Sequence, residues 1–321
     1  MLDLVTGSAG FIGSNLTDSL LANGRSVIGI DNLSRNYDPN QKIRNLRSAT
    51  TSANFDFRHA DILDVDLSSE LKQVDTVYHL AGQPGVQTSW GSGFESHLTK
   101  NVLATQKILE ECLSAGVRRV VISSSSSVYG SANGESKETD MPRPVSPYGV
   151  TKLAAENLAL VYAERGLDVA CLRLFTVYGP RQRPDMSIHR MLVAALKGEP
   201  FPLWGGGLKR RSFTFVEDIV EALKSASQTD KIDQRILNAG GTEPIKIIDL
   251  VDIVENIVGS SVPLQEVGER PGDPDLTCAS PKLVLAQLGW SPKTSLEDGL
   301  AAQLEWHKSI INSSESLQEV G

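Results

Sequence analysis

The sequence predicts an α/β protein in which a doubly wound parallel sheet carries a smaller mixed α/β lobe. The first half of the chain alternates short β-branched segments with helical patterns, and the connections between them are short. The second half is less regular, and prolines and glycines cluster at Gly179–Pro184, Gly198–Gly207 and Pro271–Pro274. Long loops in a compact protein are usually functional, so we expect a binding cleft where this lobe faces the carboxyl ends of the strands.

The elements follow from these patterns in chain order. Strands are predicted at Leu2–Thr6, Ser26–Ile30, Phe55–His59, Val74–Leu80, Val117–Ser123 and Leu167–Leu174. Helices are predicted at Phe11–Asn23, Asn101–Ala115, Pro147–Arg165, Ile188–Lys197, Val216–Ser227, Ile247–Val258 and Leu296–Trp306. We therefore assign residues 1–175 to the sheet domain, to which residues 213–240 return. Residues 176–312 form the second lobe, and residues 313–321 form a flexible tail.

Composition limits the function classes. The 321 residues are 40% hydrophobic and 22% charged, which is ordinary for a soluble globular protein. The net charge of -8 argues against nucleic acid as a partner. The opening M-L-D-L-V-T-G lacks a basic segment followed by an apolar one, so we expect no signal peptide, and no apolar run approaches membrane-spanning length. The three separated cysteines, Cys112, Cys171 and Cys278, indicate reduced thiols, so we expect a cytoplasmic protein without membrane contact or a metal site.

A glycine-rich loop follows the first predicted strand. Residues 6–14 read T-G-S-A-G-F-I-G-S, and Gly7, Gly10 and Gly13 lie at three-residue intervals before a helix. A loop without side chains lets backbone amides approach a pyrophosphate, and the helix that follows adds N–H groups and a favourable dipole. This context predicts a dinucleotide-binding site much more strongly than a glycine-rich turn alone would.

Asp31 ends the second predicted strand. A carboxylate there accepts hydrogen bonds from the adenosine ribose and repels a 2′-phosphate, which favours NAD over NADP. A strand-end turn residue is the alternative, and the nearby Arg35 leaves NADP open. Asp61 follows the third strand and is a candidate for the adenine amino group, although a helix cap or turn is nearly as good an interpretation.

Tyr148 and Lys152 lie four residues apart in S-P-Y-G-V-T-K. On a helix opened by Pro147, that spacing places both on one face. The pair alone is compatible with two ordinary surface side chains. That interpretation is favoured over a phenol whose pKa is lowered for chemistry until other motifs agree with the second one.

Together, the glycine loop and the Y-x-x-x-K pair resemble the extended short-chain dehydrogenase/reductase family, specifically its nucleotide-sugar epimerases and dehydratases. The resemblance covers nearly the whole chain and includes H-L-A-G, N-V-L-A-T, S-S-S-S-S-V-Y-G, L-R-L-F-T-V-Y-G-P, R-R-S-F-T-F-V-E-D and R-P-G-D in that order. It implies a Rossmann sheet and a tightly held NAD. The implied cofactor-binding residues are Gly7, Gly10, Phe11, Ile12, Gly13, Asp31, Asn32, Ser34, Asp61, Ile62, Leu80, Ala81, Gly82, Asn101, Ser123, Tyr148 and Lys152.

The resemblance also implies a catalytic triad. Tyr148 is the expected acid/base, Ser125 its hydrogen-bond partner, and Lys152 the cation that holds the nicotinamide ribose. The run of serines leaves the position of the catalytic hydroxyl open by one residue. A free tyrosine has a pKa of about 10. Lys152 and the positive nicotinamide ring are expected to favour the phenolate, which then takes a proton from a sugar hydroxyl while hydride passes to NAD.

The type of reaction is inferred from acidic residues that other members of the family have and this chain lacks. Dehydratases of this family carry Asp-Glu directly after the triad hydroxyl, and sugar-acid decarboxylases typically carry Glu at the second position. Ser126 and Ser127 stand there in this chain. Serines do not readily supply those proton transfers, so the resemblance favours a redox-neutral 4-epimerase. A catalytically silent NAD-binding protein and an NAD(P)-dependent sugar reductase remain as alternatives.

The resemblance places the nucleotide sugar in the second lobe. The expected substrate residues are Ser125, Ser126, Ser127, Thr176, Arg183, Arg211, Arg270 and Asp273. Arg211, Arg270 and Asp273 match positions that bind the diphosphate and ribose, since the arginine fork pairs with phosphate oxygens. Uridine diphosphate is the commonest handle.

The segment V-Y-G-P-R-Q-R-P-D-M-S resembles UDP-glucuronate 4-epimerases, and Arg183 is expected to hold the sugar carboxylate. UDP-glucose is the alternative substrate, which gains some support because Gln87 stands where related sequences often have arginine. Family members are often homodimers through the Tyr148 helix and the Asn101–Ala115 helix, so we expect a homodimer here.

Overall fold

The computed structural model describes residues 1–132, 134–269 and 272–318. In chain order its strands are β1 (Leu2–Thr6), β2 (Ser26–Asp31), β3 (Phe55–His59), β4 (Val74–His79), β5 (Arg119–Ser125), β6 (Val169–Leu174), β7 (Thr176–Tyr178), β8 (Phe201–Trp204), β9 (Arg210–Phe215), β10 (Ile236–Ala239), β11 (Pro244–Lys246), β12 (Leu264–Val267) and β13 (Leu276–Thr277). Its helices are α1 (Phe11–Ala22), α2 (Pro39–Asn45), α3 (Gly93–Leu98), α4 (Ala104–Ala115), α5 (Pro147–Glu164), α6 (Ser187–Lys197), α7 (Val216–Gln228), α8 (Ile247–Val258), α9 (Lys282–Leu288) and α10 (Leu296–Gln318).

Within the described ranges, seven parallel strands form the central sheet in the order β10-β6-β5-β4-β1-β2-β3. The strand order reverses between β1 and β4. In open sheets of this kind, ligands bind at the carboxyl ends of the strands beside such a reversal. The predicted doubly wound parallel sheet is confirmed.

Alternate side chains of the sheet feed two apolar layers. On β1, Leu4 and Val5 are both fully buried, but they belong to different clusters because successive strand residues point to opposite faces. Leu4 joins the cluster that contains Ile108 of α4, and Val5 joins the cluster that contains Leu16 of α1. Full burial of one such side chain contributes about 1.5–3 kcal/mol.

The predicted helix Asn101–Ala115 is wrong in its first turns. The helical segment begins at Gly93, with α3, and reaches α4 through a π-helical turn at Thr99–Leu103. The wider turn shifts the side-chain period, which hides the continuity of α3 and α4 from a search for 3.6-residue spacing. Such π turns occur frequently at functional sites. The predicted helix Leu296–Trp306 likewise runs further, to Gln318.

The second lobe consists of short strands and helices. In it β9 pairs with β7, β11 and β13, and β8 pairs with β12. Between β9 and β11 the chain returns to the main sheet, because β10 pairs in parallel with β6 along its whole length. None of the helices in the described ranges is long and apolar enough to cross a bilayer.

Candidate active site

A cavity of about 610 Å³ opens between the carboxyl ends of the central strands and the second lobe. Its walls contain every predicted cofactor and substrate residue that the structure describes. Arg270 lies outside the described residues. The structure thus brings together residues as far apart in sequence as Gly7 and Asp273.

The glycine loop forms a cradle that side chains would fill. Gly7 has a φ of 71°, and a Cβ atom there would lie 2.8 Å from the Ala81 amide nitrogen. A Cβ atom on Gly13 would lie only 2.1 Å from the Gly7 carbonyl oxygen. Helix α1 begins directly after Gly10 and has no acidic side chain in its first turn. The loop and helix N-terminus therefore suit a pyrophosphate, so the residues present fit a dinucleotide.

Asp31 lies at the carboxyl end of β2 with its carboxylate held from three directions. It accepts hydrogen bonds from the Leu33 amide at 2.8 Å and the Ala9 amide at 3.2 Å, and Lys42 Nζ lies 3.5 Å away. The cation beside Asp31 is therefore the buried Lys42 of α2, whereas Arg35 is exposed. The fixed carboxylate suits a ribose diol.

Asn32 and Asp61 lie in contact beside Asp31, although they follow two different strands, β2 and β3. The Asn32 side-chain amide donates to the Asp61 carboxylate at 2.7 Å, and the other Asp61 oxygen accepts from the Leu63 amide at 3.0 Å. The Leu63 contact is the one expected of a turn residue. Asp61 also lines the cavity, as the interpretation of an adenine contact requires. The two interpretations of Asp61 are compatible.

Tyr148 and Lys152 occupy the same face of α5 and both line the cavity. Ser146 caps the helix by accepting a hydrogen bond from the Gly149 amide at 3.2 Å, and Pro147 occupies its first position. The His97 ring packs edge-on against Tyr148, with ring centroids 5.8 Å apart. Capping and packing therefore fix where the phenol points.

Burial is the largest influence on both groups. It raises the pKa of Tyr148, while hydrogen bonding with Ser125 and the positive charge of Arg183 act in the opposite direction. Burial also lowers the pKa of Lys152 to about 8, and the Glu156 carboxylate opposes that shift. Ser125 is thus the serine of the run that interacts with the phenol. Arg183 adds a cation whose charge acts on Tyr148.

The end of β5 presents the serine run to the cavity. Ser125 accepts a hydrogen bond from the Ser127 amide at 3.1 Å, which starts a short 3₁₀ turn at Ser126–Val128. Asn101 lies opposite, in the π turn, and its side chain bonds both backbone groups of Gln83, at 2.7 Å and 3.1 Å. The π turn thus positions Asn101 to hold the loop after β4.

Two arginine–aspartate pairs face the cavity from the second lobe. Arg183 forms a two-pronged pair with Asp185, with both N–O distances 3.0 Å. Arg211 contacts Asp273 at 2.6 Å, and Lys209 Nζ donates to the Asp273 carbonyl at 2.7 Å. Each arginine thus already has an acidic neighbour within the chain.

Side-chain contacts hold the loop that carries Arg183 against three helices. Arg181 adopts a φ of 69°, which is uncommon for a residue with a side chain, and it pairs with Asp18 of α1 at 2.6 Å. The buried Gln182 side chain accepts from the His189 amide at 2.9 Å and from Gln303 Nε2 at 2.7 Å. These contacts join the loop to α1, α6 and α10.

Sequence reasoning missed several residues of the cavity wall. They include Tyr37, Lys42, Gln83, Lys100 and Lys209. The Tyr37 hydroxyl is buried without a hydrogen-bond partner, and burial raises the pKa of the phenol. None of these residues belongs to a motif that the sequence analysis used, and only tertiary structure brings them to the site. Among the described residues, no group of three or more His, Cys, Asp or Glu side chains is placed to hold a metal ion.

Comparison with known proteins agrees with this geometry. The UDP-glucuronate 4-epimerase of Thermodesulfobacterium geofontis (strain OPF15) is 33% identical over 98% of this chain and 98% of its own length. A protein of Bacillus subtilis (strain 168), named an uncharacterized UDP-glucose epimerase, is 38% identical over 96% of this chain and 98% of its own length.

A solved structure extends the agreement to three dimensions. UDP-glucuronic acid 4-epimerase from Bacillus cereus, in complex with UDP-glucuronic acid and NAD, superposes with a TM-score of 0.94 at 40% identity. The match covers 97% of this chain and 100% of that one. Residues 4–240 match the family described as the NAD dependent epimerase/dehydratase family. The expected family is confirmed, and the chain belongs to the NAD dependent epimerase/dehydratase family.

Proposed function

We propose that this protein is an NAD-dependent isomerase that interconverts UDP-glucuronate and UDP-galacturonate by epimerisation at C4. The observation that carries the proposal is the single cavity, which joins a glycine cradle, the Ser125–Tyr148–Lys152 set and Arg183. The relatives that match over nearly their whole length include UDP-glucuronate 4-epimerases, which supports the same assignment. The cofactor is NAD, and the substrate is a UDP-sugar.

Each member of the triad has a role that follows from its position. The Tyr148 oxygen takes the proton from the O4 hydroxyl and later returns it, while Ser125 hydrogen-bonds to the phenol. Lys152, one helical turn away, holds the cofactor ribose and adds positive charge near the phenolate. When bound, NAD supplies the hydride acceptor and donor for C4. The intermediate is a 4-keto sugar that turns over in the cavity before its reduction.

The groups beside the triad hydroxyl favour epimerisation over dehydration. Ser126 and Ser127 occupy the positions where acid and base residues would be needed, and both line the cavity. A neutral hydroxyl is a poor acid or base near pH 7. Hence the ketose in the site has no partner there for a further proton transfer, and it is reduced instead.

Arg183 is the residue that we expect to determine which sugar is bound. Its charge acts on the Tyr148 phenol, and it lines the same cavity as the triad. A planar guanidinium binds carboxylates through two parallel hydrogen bonds, so Arg183 suits the C6 carboxylate of glucuronate. This chemistry supports UDP-glucuronate as the substrate.

UDP-glucose is the second candidate. The observation that favours it is the Arg183–Asp185 pair, because Asp185 neutralises Arg183 and reduces the need for an anionic sugar. The similarity to the Bacillus subtilis relative points the same way. Analysis of the products therefore distinguishes the two candidate substrates.

A homodimer forms part of the proposal. Apolar side chains are exposed along the helical segment that ends in α4 and along α5: Leu98, Leu103, Val150 and Val161 are 40%, 52%, 48% and 58% exposed. Two adjacent helices with such faces can bury them against a second copy. We also propose a cytoplasmic location, which the free, buried thiols of Cys112, Cys171 and Cys278 support.

The test is product analysis. The protein is incubated separately with UDP-glucuronate and UDP-glucose, without added NADH, and the sugars are separated. We expect UDP-galacturonate from the first substrate. Formation of UDP-galactose alone would favour the second candidate, and UDP-xylose or a 4-keto-6-deoxy sugar would contradict the epimerase assignment.

One variant tests the carboxylate contact in the same assay. Arg183→Ala should lower kcat/KM for UDP-glucuronate about 10- to 100-fold, because a hydrogen bond to a charged group contributes about 1.5–3 kcal/mol. The loss with UDP-glucose should be smaller. Arg210→Ala is the matched control, since Arg210 is exposed and lies outside the cavity wall. An equal loss on both sugars would contradict the role of Arg183.

A further inference from the structure

A buried network lies beside the catalytic residues of α5, and the proposed chemistry does not use it. Glu156 and Arg173 form a two-pronged ion pair at 2.9 Å and 2.8 Å, with side chains 1% and 3% exposed. Arg173 also donates to the Tyr129 hydroxyl at 2.7 Å, which in turn donates to Asn238 at 2.7 Å. The Ser124 hydroxyl donates to Glu156.

The network touches the elements that carry the triad. Glu156 lies on α5 four residues after Lys152, which itself lies four residues after Tyr148, so the three share one helix face. Ser124 directly precedes Ser125 on β5, and its hydroxyl reaches Glu156 on α5. The Glu156 carboxylate, which belongs to the helix of Tyr148, thus accepts a hydrogen bond from the strand that carries Ser125.

Stability alone is a weak reason for this arrangement. Removing two charges from water is unfavourable, and well-packed apolar side chains of similar volume often replace such a pair without loss. Two of its members, Tyr129 and Arg173, come from the motifs S-S-S-S-S-V-Y-G and L-R-L-F-T-V-Y-G-P, neither of which the proposed reaction uses in full. A fixed orientation of the catalytic groups explains the charged pair better.

We propose that Glu156 and Arg173 are positioning residues that hold Ser125 and Lys152 in register with Tyr148 and keep the Lys152 ammonium charged. The inference rests on the proposed roles of the triad. Arg173 fixes the carboxylate of Glu156 in place, and its negative charge acts on Lys152, one helical turn away. Neither residue is expected to touch the substrate.

The charges around Lys152 give the expected sign. The titratable and charged groups around it are Tyr148 and Glu156 on α5, His79 on β4, and Cys171 and Arg173 on β6. Burial lowers the pKa of Lys152 to about 8, and the negative charge of Glu156 opposes this. Loss of that charge lowers the pKa further, so the lysine becomes neutral at a lower pH and activity falls earlier on the alkaline side.

The experiment is the pH dependence of kcat for two variants. Glu156→Gln removes the charge, and Glu156→Leu with Arg173→Met replaces the whole pair by apolar side chains that preserve folding. In Glu156→Gln the alkaline limb of kcat should move to lower pH by about one unit, which is about a tenfold loss on that limb. The double variant removes one charge of each sign, so its alkaline limb should move less. Its kcat at the pH optimum should fall about tenfold, because Ser124 loses the carboxylate that it bonds. KM for the UDP-sugar should change less than about twofold, because neither residue contacts substrate.

Asp168→Asn is the matched control. Asp168 pairs with Arg119, another buried arginine of the sheet, at 2.9 Å, and neither residue lines the cavity. This variant should lower Tm and leave the pH profile of kcat at its wild-type position.

Different outcomes would contradict the two proposals. An unmoved alkaline limb in folded Glu156→Gln, or a wild-type kcat in the folded double variant, would overturn the positioning role. Absence of wild-type turnover on both sugars would refute the proposed function, and this inference with it.

Discussion

At Tyr148 two physical effects oppose each other. Burial of the phenol raises its pKa, whereas Ser125 and the charge of Arg183 favour ionisation. Desolvation penalises the charged form, and neighbouring cations restore it. A positively charged cofactor ring beside the phenol would strengthen the second effect. The protein's own residues therefore prepare a base whose ionisation depends on the loaded site.

The first prediction concerns this hydroxyl. Tyr148→Phe should fold and bind NAD but lose turnover about 10²- to 10⁴-fold, because the general acid/base is removed while the ring packing remains. Tyr162→Phe on the same helix is the control, since the Tyr162 hydroxyl bonds Gln106 and Glu110 outside the cavity. Steady-state kcat and bound NAD are measured for both. Residual activity of Tyr148→Phe near the wild-type level would show that another group is the base.

Residues within motifs were predictable, and residues outside them were not. The positions of Asp31 and Tyr148 follow from their place after a strand and on a helix, because local spacing sets them. Lys42 reaches Asp31 only through the tertiary placement of α2, and no local pattern encodes that approach. The partner of Arg183 also depends on how its loop folds back on itself.

At the scale of elements, the glycine loop and α1 act as one unit. The backbone of Gly7 approaches both Ala81 and Gly13 closely, so the loop packs against β4 and against its own helix. This packing brings the loop backbone at Gly7 and Gly10 to the cavity wall. The loop was predictable from the sequence because only glycine tolerates such contacts, whereas the π turn at Thr99–Leu103 has no comparable signal.

The second prediction tests the cradle. Gly13→Ala places a Cβ atom 2.1 Å from the Gly7 carbonyl oxygen, a distance that the backbone must relieve by moving. We expect a loss of about 1–3 kcal/mol in the free energy of unfolding and a lower content of bound NAD. Denaturant unfolding and the NAD released on denaturation are the measurements.

Gly268→Ala is the control for that variant, because no atom lies within 4 Å of its added Cβ atom. It should unfold at the wild-type denaturant concentration and retain NAD. Normal NAD content in Gly13→Ala would mean that the close packing of the loop is dispensable for cofactor binding.

At the scale of the whole molecule, apolar side chains are exposed on α5, which is the catalytic helix, and on the segment that ends in α4. A second copy seated there would support α5 from outside, while the Glu156 network supports it from inside. The pairing of helices was an expectation from family resemblance. The sequence alone shows only scattered apolar residues, because their exposure depends on the fold.

The third prediction addresses that surface. Val150→Asp combined with Val161→Asp should convert a dimer into a monomer, since charges on an apolar interface are not compensated. Leu285→Asp is the control, because Leu285 of α9 is equally exposed, at 50%, on another face. Light scattering coupled to gel filtration gives the mass. A monomeric wild type would contradict the proposed dimer.

The pairing of β10 with β6 has a consequence for protein engineering. The strand that completes the cofactor-binding sheet is contributed by the chain after it has built part of the other lobe. A cut near residue 175 would strip β6 of its neighbour and leave an open row of amides and carbonyls, which invites aggregation. Substrate preference in this scaffold is therefore better exchanged loop by loop than by grafting one half of the chain onto another enzyme.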